Sequence, residues 1–262
     1  MTTAEIAPPT PKLSFGPVIQ GTFGVLKRNL GTFLGLALLL EAIPFVFLGA
    51  GVVQMVTSGA TSGGPALGLG YLALMVASAI LTPALVHGAV ADLNGRRPTL
   101  GECLRSGVRH AVPVFLILLL TGFGVLFGFL LLIVPGFIFF MMWVVAAPAQ
   151  VVERTGVFAA FGRSRALTKG SRWRIFWLLV LYSFVNGAVQ QSLLGIATMF
   201  TGSITPTSAN PFAAITPAYG VVMLVMTVVN TLITYTGMAV IYYELRRIKE
   251  GIGPEALASV FD

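Results

Sequence analysis

The sequence predicts an all-α, polytopic membrane protein: six transmembrane helices in three helical hairpins, each hairpin preceded by a cytoplasmic, interfacial amphipathic helix. Composition supports this class, because the 262-residue chain is 56% hydrophobic and only 10% charged. A soluble domain carries about 25% charged residues to wet its surface. The apolar residues also stand in long blocks, and not at the period of two that marks membrane β-strands.

The hydropathy pattern predicts the number of spans. An apolar helix needs about 20 residues to cross the hydrocarbon layer. Six blocks qualify, at about 31–56, 66–91, 111–133, 136–152, 173–200 and 217–245. The third and fourth meet at "IVPGF", where Pro135 and Gly136 predict a tight hairpin. The fourth block is the shortest, and a buried hairpin that never fully crosses is the alternative there.

We expect one integral membrane domain across 1–262. Residues 1–13 are polar and Pro-rich, which predicts a disordered tail. No charged segment there leads into an apolar core with a cleavage site, so we expect no cleaved signal. Residues 250–262 are expected to form a short cytoplasmic tail after the last span.

The basic residues predict the orientation of the spans. The loops "TSGATSGGP" and "TGSITPTSANP", after the first and fifth spans, carry no charge. With six crossings, all 16 Lys and Arg residues fall on one side of the membrane. The positive-inside rule places that side and both termini in the cytoplasm. We therefore expect a multi-pass protein of the cell's inner (plasma) membrane.

Each predicted hairpin follows a short segment with helical periodicity. Ser14 can cap the first segment, and Thr99 and Glu102 have the spacing of a capping box at the second. The third lies in "FGRSRALTKGSRWRIFWLLV", where an apolar face is flanked by cations, as in a helix lying among lipid headgroups. Nine basic residues of these segments are predicted to contact lipid phosphates: Arg163, Arg165, Lys169, Arg172, Arg174, Arg105, Arg109, Lys27 and Arg28.

The net charge of +7 also raises nucleic acid as a partner class. The cations, however, are dispersed at helix ends, and no recognition helix or aromatic binding sheet accompanies them. Anionic lipid offers about 1 kcal/mol for each nearby basic residue. We therefore expect membrane lipids, and no nucleic acid, as partners. The residues leave open whether a protein partner or a second copy also binds.

Glu41 is the only charged residue deep in a predicted span. An ionised residue at that depth costs about 3 kcal/mol and often marks function. Asn186, Gln190 and Asn230 are expected at roughly similar depth, so the four residues could form an intramembrane polar site for a substrate or a proton. The alternative is a Glu41 that is neutral or hydrogen-bonded and simply fastens helices together.

The sequence offers no catalytic constellation. It contains one Cys and two His residues, and no nucleophile–base pair or metal-ligand spacing is present. We expect His87 to be a packed or interfacial residue and Cys103 to be a small buried apolar one. The prediction is therefore a protein without enzyme activity, cofactor or metal.

Segment 130–180 carries a family-like pattern. It combines a Pro-Gly hairpin, a span with Pro and then Glu, an Arg-Ser pair, a Leu-x-x-Gly and a basic-aromatic entry to the next span. The matching positions are Pro135, Gly136, Pro148, Glu153, Arg163, Ser164, Leu167, Gly170 and Trp173. The segment resembles the membrane domain of glycerophosphodiester phosphodiesterases and the related YciC-type bacterial inner-membrane proteins of uncharacterised function.

This resemblance implies a membrane module without the enzyme. The fused phosphodiesterases carry His-Arg and paired-carboxylate motifs, whereas "RH" at 109–110 reverses that pair and no Glu-x-Asp follows. No catalytic residue is carried over. Our leading hypothesis is a lipid-associated or partner-organising membrane module with a basic cytoplasmic face. A small transporter or channel with a polar site around Glu41 is the alternative.

Overall fold

The computed structural model describes residues 13–58, 64–201 and 217–251. Nearly all of the predicted N-terminal tail and most of the C-terminal tail lie outside the described residues. The described chain is helical and contains no strand. Its helices are α1 Phe15–Ser58, α2 Gly64–Leu93, α3 Leu100–Leu131, α4 Ile133–Trp143, α5 Ala146–Glu153, α6 Val157–Thr168, α7 Arg172–Thr201 and α8 Pro217–Glu250.

Six helical segments of the described chain are long and apolar enough to cross a membrane, which confirms the predicted fold class. Each is close to one predicted block, although several begin or end earlier or later. The segments are Phe15–Met55, Gly64–Leu93, Leu100–Leu131, Ile133–Glu153, Arg172–Ile196 and Gly220–Glu250.

The three amphipathic segments differ in how they join their spans. The first belongs to α1, and a non-helical residue, Asn29 (φ −119°, ψ 20°), separates it from the span. The second continues into α3 without a break, and the predicted capping box is present between Thr99 and Glu102. Only the third forms a helix of its own, α6. The three units, each an amphipathic segment followed by a hairpin, therefore share their order along the chain and not an identical geometry.

The fourth span is a broken helix. Eleven residues form α4 and eight form α5, so the two halves reach only about 16 Å and 12 Å. The break falls at Val144 and Val145 because Pro148 cannot donate a backbone hydrogen bond to the carbonyl four residues earlier. The residues of α5 from Ala146 to Val152 are buried. Together the halves form the segment Ile133–Glu153, which is long enough to cross.

The turn between α3 and α4 lies slightly earlier than the sequence predicted. Leu132 is extended (φ −165°, ψ 151°), whereas Pro135 and Gly136 belong to the first turn of α4. A proline fits there because the first backbone N–H groups of a helix have no intrahelical partner. A Cβ atom on Gly128 would lie 2.7 Å from Gly136 Cα, so glycine permits the close approach of the two helices.

The core lies among α1, α2, α3 and α8. Its fully buried side chains include Phe33, Leu85, Ile117 and Val240, one from each of these helices. By contrast, the main helix contacts of α7 within the described chain are with α8 and α4. The packing therefore leaves α7 at the edge of the bundle.

Candidate functional site: the basic end and the intramembrane polar residues

Contacts between distant segments gather the described basic residues at one end of the bundle. Asn29 Nδ2 donates to Asp92 Oδ1 over 2.7 Å, and Arg28 Nε donates to Asp92 Oδ2 over 3.1 Å. Arg174 Nη1 donates to the carbonyl oxygen of Leu13 over 2.7 Å. We call this region the basic end. It comprises the starts of α1, α3 and α7, the ends of α2, α5 and α8, and α6.

An ionic cluster joins α5, α6 and α8 at the basic end. Arg163 Nε donates to Glu153 Oε1 over 2.9 Å and to Oε2 over 2.7 Å, and its Nη2 donates to Glu250. Arg246 Nε donates to Glu250 over 2.8 Å, and Tyr242 Oη donates to Glu153 over 2.7 Å. Burial disfavours the charged form of Arg163, but the hydrogen bonds to Glu153 and Glu250 outweigh it and raise the pKa of Arg163.

Further contacts fix α6 on the protein. Ser164 Oγ donates to the Met142 carbonyl oxygen over 2.8 Å, and Leu167 is buried. Lys249 Nζ donates to the carbonyl oxygen of Lys169 over 2.7 Å. The face that the sequence assigned to lipid therefore packs on α4, α5 and α8. Polar contacts position this face, and the sequence pattern alone does not distinguish such a surface from one that meets lipid.

The nine basic residues predicted to contact lipid divide by their partners. Three are bonded within the protein: Arg28, Arg163 and Arg174. Arg172 is half-buried, and its Nε is buried with no hydrogen-bond partner in the described chain. Five are exposed and form no ion pair with the described chain: Lys27, Arg105, Arg109, Arg165 and Lys169. We call these the five unpaired cations.

Two of the five unpaired cations line an open cleft near the start of α3. The cleft is a shallow, open surface of about 680 Å³ that one face of α3 forms alone, with Gly101, Leu104, Arg105, Val108 and Arg109 as its lining. Arg105 and Arg109 are four residues apart and therefore lie on one face of the helix. Their guanidinium groups match phosphate oxygens in geometry and charge, while Leu104 and Val108 offer apolar surface. This face of α3 thus combines two anion-binding groups with adjacent apolar surface.

The intramembrane polar residues do not form one layer. Glu41 is only 5% exposed, and Thr231 Oγ1 on α8 donates to its Oε1 over 2.7 Å. Its Oε2 is buried with no hydrogen-bond partner in the described chain. The side chain of Asn230, on the same helix, points in a different direction and accepts a hydrogen bond from Tyr182 on α7. The neighbouring residues Asn230 and Thr231 of α8 thus contact different helices: Asn230 contacts α7, and Thr231 contacts α1.

A second cleft, of about 180 Å³, lies between α7 and α8. Its lining consists of Gln190, Gln191, Leu194, Met223, Met226, Thr227 and Asn230. The structure therefore brings two of the four predicted polar residues together, Gln190 and Asn230. Glu41 and Asn186 do not line this cleft.

Sequence reasoning missed the acidic partners of the basic end. Glu153 and Glu250 both accept from Arg163, and Asp92 accepts from Arg28. The spacing of Arg246 and Glu250 was a signal for a pair within one helix. Arg163 and Glu250 are 87 residues apart, and no local pattern connects them. The hydroxyl-rich run "NTLITYTG" at 230–237 was a visible signal for the Thr231 contact with Glu41.

Within the described residues, no three His, Cys, Asp or Glu side chains are grouped so that they could hold a metal ion. The chain matches no family model, no curated protein and no solved structure. Function must therefore be inferred from the chemistry of the basic end and of the spans.

Proposed function

We propose that the chain is a non-enzymatic membrane module that binds anionic phospholipid at its basic end. One observation carries this proposal: five exposed cations at that end form no ion pair with the described chain, while Asp92, Glu153 and Glu250 are already engaged by other residues. Each unpaired Lys or Arg near a membrane surface attracts anionic lipid by about 1 kcal/mol. Lipid phosphate is thus the natural counter-ion for this set.

Within this proposal, the Arg105–Arg109 cleft is the principal headgroup site. One turn of helix separates the two guanidinium groups, so a single phosphate can accept hydrogen bonds from both. Val108 lies between them in sequence and is 59% exposed, which provides a surface for the first methylene groups of an acyl chain. A soluble phosphate would use only the arginines, whereas a phospholipid uses the whole cleft.

We also propose that the basic end faces the cytoplasm at the inner membrane. The positive-inside rule supports this orientation. Trp173 and Trp177, at the start of α7, are 75% and 58% exposed, and such residues are enriched where a span meets the headgroup region. The aromatic residues and the cations thus indicate the same boundary.

We further propose a relationship to the phosphodiesterase membrane domains and YciC-type proteins. The residues that carry the resemblance have connected roles: Arg163 bonds Glu153, and Ser164 bonds the end of α4. Gly170, with φ of +87°, follows the end of α6, where a left-handed conformation favours glycine. These contacts support a motif that holds α6 in place, and they suggest no reaction.

The alternative of a transporter has less support. It requires a polar path that connects Glu41 with the cleft near Gln190. Glu41 is enclosed and accepts a hydrogen bond from Thr231, which is what a helix-fastening residue would do. We therefore assign Glu41 to structure in this proposal.

The proposal is tested by extracting the protein with its surrounding lipid into polymer nanodiscs and quantifying the phospholipid classes. We expect anionic lipids to be enriched at least twofold over the bulk membrane. Raising the ionic strength from about 0.1 M to 1 M shortens the screening length from about 10 Å to 3 Å, so the enrichment should fall. A lipid composition equal to that of the bulk membrane would contradict the proposal.

A further inference from the structure

The outer face of α7 is the least enclosed surface among the six spans. An apolar stretch of 18 residues in this span contains no buried residue, whereas the corresponding stretches of the other five spans are 17% to 50% buried. Apolar side chains on this face, such as Phe184 at 75% exposure, are satisfied by lipid tails. The exposure of these apolar residues therefore does not by itself imply that a second protein covers them.

The exposed carboxamides of α7, unlike its apolar side chains, require hydrogen-bond partners. Gln190 and Gln191 are exposed and form no hydrogen bond with the described chain. The span Arg172–Ile196 has its midpoint at Phe184, so Gln191 lies about 10 Å from that midpoint along the helix. The hydrocarbon layer extends about 15 Å to either side of its centre. Both carboxamides therefore lie where lipid offers no hydrogen-bond partner.

The surface beside Gln191 is open to a second helix. Gly187 lies one turn before it, and a Cβ atom there would meet nothing within 4 Å. The 180 Å³ cleft between α7 and α8 also borders Gln191. An approaching helix can thus reach the carboxamides without displacing any part of the described chain, and the cleft can accept one of its side chains.

We propose that this face of α7 binds the same face of a second copy of the chain. Two copies enter the membrane in one orientation, so a two-fold axis along the membrane normal places each α7 residue near its counterpart. A carboxamide carries both donors and acceptors, so Gln191 can pair with the Gln191 of the second copy. No Asp, Glu, Lys or Arg occurs between Arg174 and Ile196, and no like charges meet across the axis.

Cysteine cross-linking in native membranes tests this interface. Cys103 is buried, and Cys103→Ala provides a background for single cysteines. Gln191→Cys is compared with Leu72→Cys on α2, which is 57% exposed. Leu72 lies a similar distance from the midpoint of its own span, in the half remote from the basic end. On mild oxidation, we expect a disulfide-linked dimer from Gln191→Cys and only a background level from Leu72→Cys.

Gln191→Leu supplies a second measurement that needs no cross-link. It should lower the dimer association constant in lipid, measured by single-molecule photobleaching, by about fivefold. The inference fails if both cysteines cross-link equally or if neither does. It also fails if Gln191→Leu dimerises like the wild type, or if Gln191→Cys is captured by a different protein instead of a second copy. None of these results depends on lipid binding at the basic end.

Discussion

Arg163 and Glu153 lie ten residues apart in the sequence, and the structure joins them by a hydrogen bond of 2.7 Å between Nε and Oε2. The same arginine also bonds Glu250 at the end of the last span. One side chain of α6 thus ties together the end of the fourth span and the end of the sixth. The arginine that the sequence assigned to lipid phosphate already has its anions within the protein.

Removing this arginine should destabilise the protein. Arg163→Gln leaves Glu153 and Glu250 with fewer donors, and losing hydrogen bonds to charged, partly buried groups costs about 2 kcal/mol. Arg165→Gln is the matched control, because Arg165 is exposed and should change stability by less than about 0.5 kcal/mol. Both are measured by SDS titration in mixed micelles with Trp fluorescence as the signal. Equal stability of the two variants would contradict a structural role for the ionic cluster.

The close packing of α3 against α4 should depend on the absence of a side chain at Gly128. A Cβ atom at Gly128 would lie 2.7 Å from the backbone of Gly136, so Gly128→Ala should cost about 1–3 kcal/mol through overpacking. Gly122→Ala, in the same helix, would meet nothing within 4 Å and should be neutral or stabilising, because Ala favours helix. Thermal unfolding of the purified variants measures the difference. A Gly128→Ala variant as stable as Gly122→Ala would show that the close approach is absent.

Glu41 should prove replaceable by an isosteric neutral residue. Glu41→Gln keeps an oxygen that accepts from Thr231, so we expect a change in stability below about 1 kcal/mol. Thr231→Val removes the donor and should cost about 1 kcal/mol. Solute or proton flux in proteoliposomes should not differ between Glu41→Gln and the wild type. A flux that is present in the wild type and lost in a folded Glu41→Gln variant would instead favour the transporter.

The orientation is testable by labelling single cysteines in the Cys103→Ala background. An impermeant maleimide should label Arg165→Cys only from the cytoplasmic side and Thr57→Cys only from the opposite side. These positions lie at the basic end and at the end of α1, and both are exposed. Labelling of both from the same side would be incompatible with the predicted topology.

The six spans could be predicted because backbone polar groups inside a bilayer must be bonded within a helix, which forces long apolar blocks. The kink at Asn29 could not be predicted in the same way. Its side chain bonds the Val25 carbonyl and the Asp92 carboxylate, and the second contact depends on a helix 63 residues away. The break before Pro148 had a visible cause in the sequence, but α1, α2 and α3 do not break at Pro44, Pro83 and Pro113. Proline alone therefore does not identify which span breaks.

The sequence could predict only in part which of the nine basic residues stay unpaired, for a similar reason. The number of cations, and the prediction that they share one side of the membrane, follow from local pattern. Whether a cation is free depends on which carboxylate the fold brings to it, as Arg28 with Asp92 illustrates. Arg105 and Arg109 keep their charges available because their face of α3 borders an open cleft. Tertiary packing thus determines which cations of the basic end stay unpaired.

Native mass spectrometry of two charge-matched double variants tests the central claim most directly. Arg105→Gln with Arg109→Gln removes both guanidinium groups from the cleft, and Arg96→Gln with Arg97→Gln removes two exposed charges from the preceding loop. We predict that the first pair loses most of the retained anionic lipid, by about 30-fold if two charge interactions of about 1 kcal/mol each are lost, while the second pair retains it. Equal retention in both folded variants would contradict a headgroup site between Arg105 and Arg109.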